Sequence, residues 1–300
     1  MAMRRHFILR SLLLLSVTGC ASPRQTVGPN QRQPWYGETM PMGQVVAAIN
    51  RNNERVPTLW ARHDYDADIV DEQKKSHFVN GDGVLLYRRP QGMRLVGNKP
   101  VVGTVFEIGS SDDRYWLKIV PEMETMWWGR YANVGKPCVR PVPIRPDMVL
   151  EVLGVGTFNT NFLEPPAPVM RFNPDADAYT FVWSVPLVDR WAAVREVWYD
   201  RKTLLPMLVV LFDENGRVVL RARLANHKPV EVPDVPQDQW PKVATNYQLF
   251  FPDTGSRMRF DLTEVELERN GVPARRGIVF PQADLQKFAK VIQLDEACAD

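Results

Sequence analysis

The chain has 300 residues, of which 45% are hydrophobic, and its 37 lysine and arginine residues nearly balance 35 aspartate and glutamate residues. This length and apolar content suffice for one large domain or two ordinary domains with a buried core. The near-neutral charge, without a basic stripe, argues against nucleic acid as the main partner, because phosphate binding requires clustered cations.

The first 19 residues have the layout of an export signal. Three arginines and no acidic residue accompany an apolar centre at Leu12 to Leu15. The apolar stretch is too short to span a bilayer as a stable helix, as is typical of a cleaved signal. The pattern predicts a signal peptide over residues 1–19, whose removal leaves 34 basic and 35 acidic residues.

The signal ends in Val17-Thr18-Gly19-Cys20, which resembles the lipobox of bacterial lipoproteins. The resemblance implies that Cys20 carries a diacylglycerol and a fatty acid such as palmitate, and two or more buried chains anchor a protein stably in a membrane. It also implies the outer membrane, facing the periplasm, because Ala21 stands where an aspartate retains such proteins in the inner membrane. The alternative is an ordinary signal peptide with an incidental cysteine.

Residues 20–40 consist of Cys20 and a segment rich in Pro, Gln, Gly, Ser and Asn, which predicts a flexible tether. The rest of the chain contains no run of 18 apolar residues, so the lipid is the only membrane attachment that the sequence predicts. Cys138 and Cys298 are compatible with one disulfide in an exported protein but do not require it. We expect a single folded domain over residues 41–300.

Periodicity in the first half predicts a helix followed by a meander of strands. Residues 44–50 have helical spacing, and residues 59–69 alternate between an apolar and a charged face. Turn residues at 80–83 and 110–113 separate the later segments. The predicted strands of this half are 59–69, 76–79, 84–89, 92–97, 102–108 and 115–120.

The second half begins with a predicted short helix over residues 147–154, with Pro146 at its start and Gly154 at its end. Residues 161–174 are expected to form a proline-rich loop, and residues 284–291 a terminal helix. The predicted strands of this half are 179–185, 193–199, 204–212, 218–224, 245–251 and 257–267.

These elements predict an α+β fold. About eleven antiparallel strands form a single strongly curved sheet, an unclosed half-barrel, because a flat sheet of this width would curl or split. The helices are expected to cover the concave face, with Val46 and Leu150 turned toward it.

The order helix, meander, central helix, meander resembles that of the lipoprotein-localisation carriers of the LolA/LolB type. Residues 88–97 and 105–109, followed by Tyr115-Trp116, are similar to the stretch in which those proteins pair neighbouring strands. The similarity extends over about residues 42–225. It implies that acyl chains are held in the hollow of the unclosed barrel under a helical lid, although this chain is longer than the soluble carriers and has its own predicted lipid.

The sequence offers little for catalysis or metal binding. The three histidines after the signal peptide lie in no recognisable catalytic setting, so no enzymatic activity and no cofactor are predicted. Asp64, Asp66 and Asp68 alternate on one strand face, but they lack the glycine turn and distal glutamate of a calcium loop. A solvated strand face is the better interpretation, and no metal site is predicted.

Aromatic side chains are the better candidates for binding. Trp116, Trp127 and Trp128 lie near the end of the first meander, where they either seal the core or form the rim of a hollow that admits an acyl chain. His63 and Tyr65 belong to the apolar face of the first strand and complete the set of predicted ligand-binding residues. A buried, hydrogen-bonded core histidine is the alternative for His63.

Two functions from different classes follow. The first is a membrane-anchored envelope lipoprotein that binds a lipid or an acylated protein in the hollow of its sheet, with lipoprotein localisation as its role. The second is a structural or assembly lipoprotein that grips another envelope protein and has no ligand cavity. A wide apolar cavity favours the first function, and a filled interior beside an exposed apolar patch favours the second.

Overall fold

The structure is a computed structural model, and it describes residues 37–70, 74–120, 124–134, 136, 138–140, 142, 144–269, 272–273 and 278–298. The predicted signal peptide, Cys20 and all but the last residues of the predicted tether lie outside the described residues, so those expectations stay predictions. Within the described part, no helix has the length and apolar character needed to cross a membrane.

Two α-helices and eighteen strands occur in the described chain. The helices are α1 (Met42–Asn53) and α2 (Pro146–Val152). The strands are β1 (Thr58–Val70), β2 (Ser76–Arg88), β3 (Gly92–Lys99), β4 (Gly103–Ser110), β5 (Arg114–Ile119), β6 (Thr125–Arg130), β7 (Ala167–Asn173), β8 (Ala178–Pro186), β9 (Trp191–Asp200), β10 (Pro206–Phe212), β11 (Val218–Ala225), β12 (Lys228–Pro229), β13 (Lys242–Val243), β14 (Asn246–Phe251), β15 (Ser256–Glu266), β16 (Glu268–Arg269), β17 (Val272–Pro273) and β18 (Lys290–Gln293).

Fourteen of these strands form one open sheet, with the order β18-β6-β5-β4-β3-β2-β1-β15-β14-β11-β10-β9-β8-β7. The first meander, β1 to β6, occupies one side, and β7 to β11 occupy the other. The late strands β14 and β15 join the two sides by pairing with β11 and β1. A single unclosed sheet is confirmed, but the expectation of about eleven strands was too low.

The contacts of α2 show that this sheet bends. The helix contacts β4 and β5 on one side and β10 on the other. Strands β5 and β10 are eight positions apart in the sheet, which is about 38 Å in a flat sheet. A seven-residue helix is only about 10 Å long, so both sides must curve toward it.

The core is continuous across both sides of the sheet and includes residues from both helices. Val45, Val46 and Ile49 are the apolar buried residues of α1, and Leu150 of α2 packs against the core with partial burial. Side chains fasten α1 to its neighbours. The Asn50 amide donates to and accepts from the backbone of Phe158.

The predicted turn at residues 80–83 is wrong, because Asn-Gly-Asp-Gly lies inside the long strand β2. This strand pairs with β1 without a break from Ser76 to Arg88. A Cβ atom at Gly83 would overlap the carbonyl oxygen of Val96 and lie 2.7 Å from His63 Nε2. The glycine therefore does not form a turn. It leaves space for the His63 side chain of β1 to lie over β2.

Two further expectations fail near the edges of the sheet. Residues 161–174 are not only a loop, because they contain the edge strand β7. The predicted terminal helix over residues 284–291 is instead a 3-10 helix, Gln282–Gln286, followed by β18, which pairs in parallel with β6. Pairing with β18 satisfies backbone groups that the edge of β6 would otherwise expose, which explains why a helix does not continue there.

Cys138 and Cys298 form a disulfide, which resolves the alternative that the sequence left open. The bond joins the segment before α2 to the end of the described chain. Close to it, the Arg140 amide donates to the Leu294 carbonyl oxygen at 2.9 Å. The disulfide and this hydrogen bond hold the segment before α2 against the C-terminal residues.

Candidate functional site

A cavity of about 960 Å³ lies between α2, the segment before it and the strands β8 to β10. This volume is at the upper end of the range typical of ligand sites, about 300–1,000 Å³. Apolar side chains from the strands and the loop between β8 and β9 form one wall, namely Val185, Leu187, Ala192, Val194, Leu211 and Phe212. The opposite wall includes Val134, Val139, Val142 and Met148.

Small side chains and a bulge leave this space open. Ala192 and Val194 of β9 are too short to reach the opposite wall. The pairing of β8 with β9 shifts between Trp183 and Ser184, so that one extra residue, Val194, is inserted opposite β8. A β-bulge bends the strand and redirects the neighbouring side chains, and both Val194 and Arg195 line the cavity.

A second cavity, of about 240 Å³, continues along the same strands toward the other end of α2. Its walls include Val197 and Tyr199 of β9 and Val209 of β10. Three residues line both cavities, namely Trp183, Arg195 and Glu151.

The shared residues form a layer that joins α2 to the sheet. The Arg195 guanidinium lies 4.0 Å from the centre of the Trp183 ring and pairs with the Glu151 carboxylate of α2. Glu151 and Arg195 side chains are 44% and 25% exposed, so the pair is partly solvated. The Arg195 Nε atom is nevertheless buried, and it has no hydrogen-bond partner within the described residues.

Other charged residues also line the large cavity, namely Lys136, Arg140, Arg145, Asp147, Asp213 and Glu214. Arg145 Nη2 lies 2.6 Å from Asp147 Oδ2 at the start of α2. Burial disfavours the guanidinium charge, but the hydrogen bond to Asp147 and the charge interactions with Asp147, Tyr115 and Tyr131 together outweigh burial and raise the pKa of Arg145. Burial also raises the pKa of Tyr115, on the β5 side of the cavity, to about 12. Its hydroxyl therefore stays protonated at neutral pH.

Two of the tryptophans predicted to bind ligand, Trp116 and Trp128, contact the C-terminal segment. The Phe280 ring centre lies 5.6 Å from each of the two indole rings. Trp116 is fully buried, and its Nε1 donates to Glu107 Oε1 at 2.8 Å. Neither tryptophan lines either cavity.

The other three predicted residues belong to the buried cluster or contact it. Trp127 is a core residue. His63 Nε2 donates to the Val96 carbonyl oxygen at 3.0 Å, and the Tyr65 hydroxyl donates to the Asn98 carbonyl oxygen at 3.3 Å. Burial lowers the pKa of His63 to about 4, so its imidazole is neutral at pH 7. None of these residues lines either cavity, and their role in ligand binding stays a prediction.

The residues that surround the hollow were missed at the sequence level. Trp183, Arg195 and Glu151 come from β8, β9 and α2, and their proximity depends on the bend of the sheet. One signal was available, because Arg195 shares the alternation of Val197 and Tyr199 in a strand with an apolar face. Within the described residues, no group of three or more potential metal ligands occurs.

Several solved structures are similar to this chain. A LolA superfamily protein from Nitrosomonas europaea is 11% identical with a TM-score of 0.47, over 79% of this chain and 97% of its own. A DUF1329 family protein from Desulfovibrio piger has the same identity and TM-score, over 76% and 93%. An outer membrane lipoprotein-sorting protein domain from Vibrio parahaemolyticus is 14% identical with a TM-score of 0.44, over 82% and 96%.

A LolA superfamily protein and a lipoprotein-sorting protein domain are thus among the solved structures that are similar to this chain. Such low identities say nothing about ligand or activity. No protein-family model matches the chain, and no curated protein matches it.

Proposed function

We propose that this protein is an envelope lipoprotein that binds an acyl chain, of a lipid or of an acylated protein, in the hollow between α2 and strands β8 to β10. The observation that carries the proposal is the cavity of about 960 Å³, whose walls both carry apolar side chains among charged ones. A structural protein with a filled interior has no need of such a space, because unfilled apolar volume costs stability.

Binding in this site is non-covalent. Burial of apolar surface contributes about 25 cal/mol per Å², and the aromatic and aliphatic walls supply that surface. In this proposal the two helices cover the concave side of the bent sheet, and α2 lies directly against the cavity. The protein performs no catalysis in this proposal, and it needs neither a cofactor nor a metal.

The test is native mass spectrometry of the full chain extracted from membranes. The proposal predicts an adduct with the mass of a lipid or fatty acid in addition to the mass of the protein. The variant that tests the site is Val194→Phe, which places a ring in the cavity. Loss of the adduct in this variant is the expected result. A chain that carries no such adduct and binds no added fatty acid contradicts the proposal and supports the assembly function.

The anchor is a separate part of the proposal, and it depends on the lipobox-like sequence that ends at Cys20. Replacement of Cys20 by serine removes the thiol that would accept the lipid. Metabolic labelling with a fatty-acid probe, followed by denaturing electrophoresis, should therefore label the unmodified sequence and leave Cys20→Ser unlabelled. Undiminished labelling of the serine variant would exclude Cys20 as the site.

A further inference from the structure

The two cavities follow the same strands in succession. Along β9, Ala192 and Val194 line the large cavity, and Val197 and Tyr199 line the small one. Arg195 lies between these two pairs and lines both. The same succession holds on β10, where Leu211 belongs to the large cavity and Val209 to the small one, and on β8 Val185 lines the large cavity while Trp183 lines both. The hollow is therefore one groove, interrupted by a single layer.

The dimensions of this groove matter for an acyl chain. From Ala192 to Tyr199 the strand rises by about 23 Å, whereas from Ala192 to Arg195 it rises by only about 10 Å. One acyl chain is about 15 Å long, half of a hydrocarbon core of about 30 Å. A chain that lies along β9 from the large cavity therefore reaches the layer of Arg195 before it ends.

We propose that the Glu151–Arg195 ion pair is a gate across this groove and determines the length of the acyl chain that the protein accepts. With the pair closed, a chain occupies the large cavity alone. With the pair open, the chain extends past Trp183 into the small cavity. This inference rests on the proposed function, because it assigns a specificity-determining role within the same site.

The pair is suited to open. Ion pairs that are partly exposed to solvent add little net free energy, so the cost of opening comes mainly from the contact between the Arg195 guanidinium and the Trp183 ring. In the closed position the buried Nε of Arg195 lacks a hydrogen-bond partner among the described residues, and rotation toward the solvent-exposed mouth would hydrate it. The small cavity is below the usual size of an independent ligand site, as expected of an extension.

A purely structural clamp between α2 and β9 is the alternative, and the two differ in chain-length selectivity. The test compares dodecanoic and octadecanoic acid as probes. Native mass spectrometry of the full chain gives the ratio of the two affinities. In the unmodified protein the ratio should favour octadecanoic acid only slightly, because the cost of opening the layer offsets most of the free energy that the additional methylenes gain in the small cavity.

The decisive variant is Arg195→Ala, which removes the guanidinium that the sheet contributes to the layer. Each methylene that then enters the small cavity adds about fourfold in affinity, so the ratio should shift toward octadecanoic acid by about tenfold or more. Glu151→Gln breaks the ion pair while it keeps the Arg195–Trp183 contact, and it should give a smaller shift in the same direction. Because Glu151 is substantially exposed, this second variant should keep the melting temperature of the parent.

The matched control is Arg171→Ala, which removes an ion pair with Glu196, the neighbour of Arg195 on β9. Neither Arg171 nor Glu196 lines either cavity, so the affinity ratio should stay unchanged. An unchanged ratio in both Arg195→Ala and Glu151→Gln, with both acids still bound, would overturn the gate and leave the proposed function intact. If the unmodified protein binds neither acid, the proposed function fails and the gate fails with it.

Discussion

The two sides of the sheet use aromatic residues in opposite ways. On the side of β1 to β6, rings lie flat across neighbouring strands and fill the space above glycines, as Trp116 does at Gly109 and Phe106 does at Gly97. On the side of β8 to β10 there is no glycine in any of the three strands, and Trp183 stands beside an open cavity. One side is filled, and the other, although Trp183 packs against Phe158 and Phe181, leaves the cavity open beside it.

This difference shows that an abundance of tryptophan does not locate a ligand site. A ring above a glycine is held by the sheet itself and leaves no room for another molecule. A ring beside alanine, valine and a bulge leaves space next to it. The arrangement of small residues around the aromatics, rather than the aromatics alone, indicates where a ligand fits.

The largest loss of stability is expected on the filled side, from Lys118→Met. Lys118 is buried and contacts Glu107 at 3.0 Å and Asp284 at 2.7 Å. Its replacement leaves two carboxylates without this positive charge. The loss of one partner of a buried ion pair typically lowers the free energy of unfolding by about 3–5 kcal/mol. Urea unfolding measures the effect. Arg88→Ala, at an exposed ion pair, is the control and should cost less than about 1 kcal/mol. Equal losses in the two variants would contradict the description of this side as filled.

The next largest effect is expected from Gly83→Ala. The added methyl group meets a carbonyl oxygen of β3 and the His63 ring, neither of which can move freely. Overpacking of this kind costs about 2–3 kcal/mol. Gly43→Ala is the matched substitution, since a Cβ atom at that helix position meets no heavy atom within 4 Å and should stabilise the chain by up to about 1 kcal/mol. If Gly83→Ala is as stable as Gly43→Ala, the side chains of β1 do not lie across β2.

A smaller, pH-dependent effect is expected from Glu107. Burial disfavours its carboxylate, but Arg94, Lys118 and the Trp116 indole outweigh burial and hold the pKa of Glu107 below its usual value of 4.5. A carboxyl group with a lowered folded-state pKa contributes stability at neutral pH, and this contribution is lost as the pH falls below that usual value. The melting temperature of Glu107→Gln should therefore fall less between pH 6 and pH 3 than that of the parent. An equally steep fall in the variant would show that other groups cause the acid dependence.

The smallest stability effect is expected on the hollow side, from Val194→Phe. The larger ring enters the cavity rather than a packed core, so the free energy of unfolding should change by less than about 1 kcal/mol. Binding of a fatty acid should be lost nonetheless. A destabilisation comparable to that of Gly83→Ala would mean that this side is also filled, and the comparison between the two sides would fail.

Local pattern was enough to predict most of the fold. The alternation over residues 59–69 identified β1, and the short helix before Gly154 is α2. The failures depend on contacts distant in sequence. Asn-Gly-Asp-Gly is a strong turn signal, yet here the glycines accommodate side chains from β1, and β18 is a strand only because β6 offers its edge.

The site was harder to predict than the fold for the same reason. Arg195 and Glu151 are 44 residues apart, and they meet only because the sheet bends around α2. A bulge in the pairing of β8 with β9 adds Val194 to the cavity wall, and no pattern in the sequence predicts this bulge. Two of the predicted tryptophans, Trp116 and Trp128, do pack against another aromatic ring. That ring is Phe280, and neither tryptophan lies beside a cavity.

The central claim is that an acyl chain lies on the hollow side of the sheet. Photo-cross-linking tests it most directly, with hexadecanoic acid that carries a diazirine on its chain, added to membranes that contain the full protein. The account predicts cross-links to peptides of β8 to β10, around Val185, Val194 and Leu211. Cross-links confined to β1 to β6, at Trp116, Trp127 or Trp128, or none above background would contradict it.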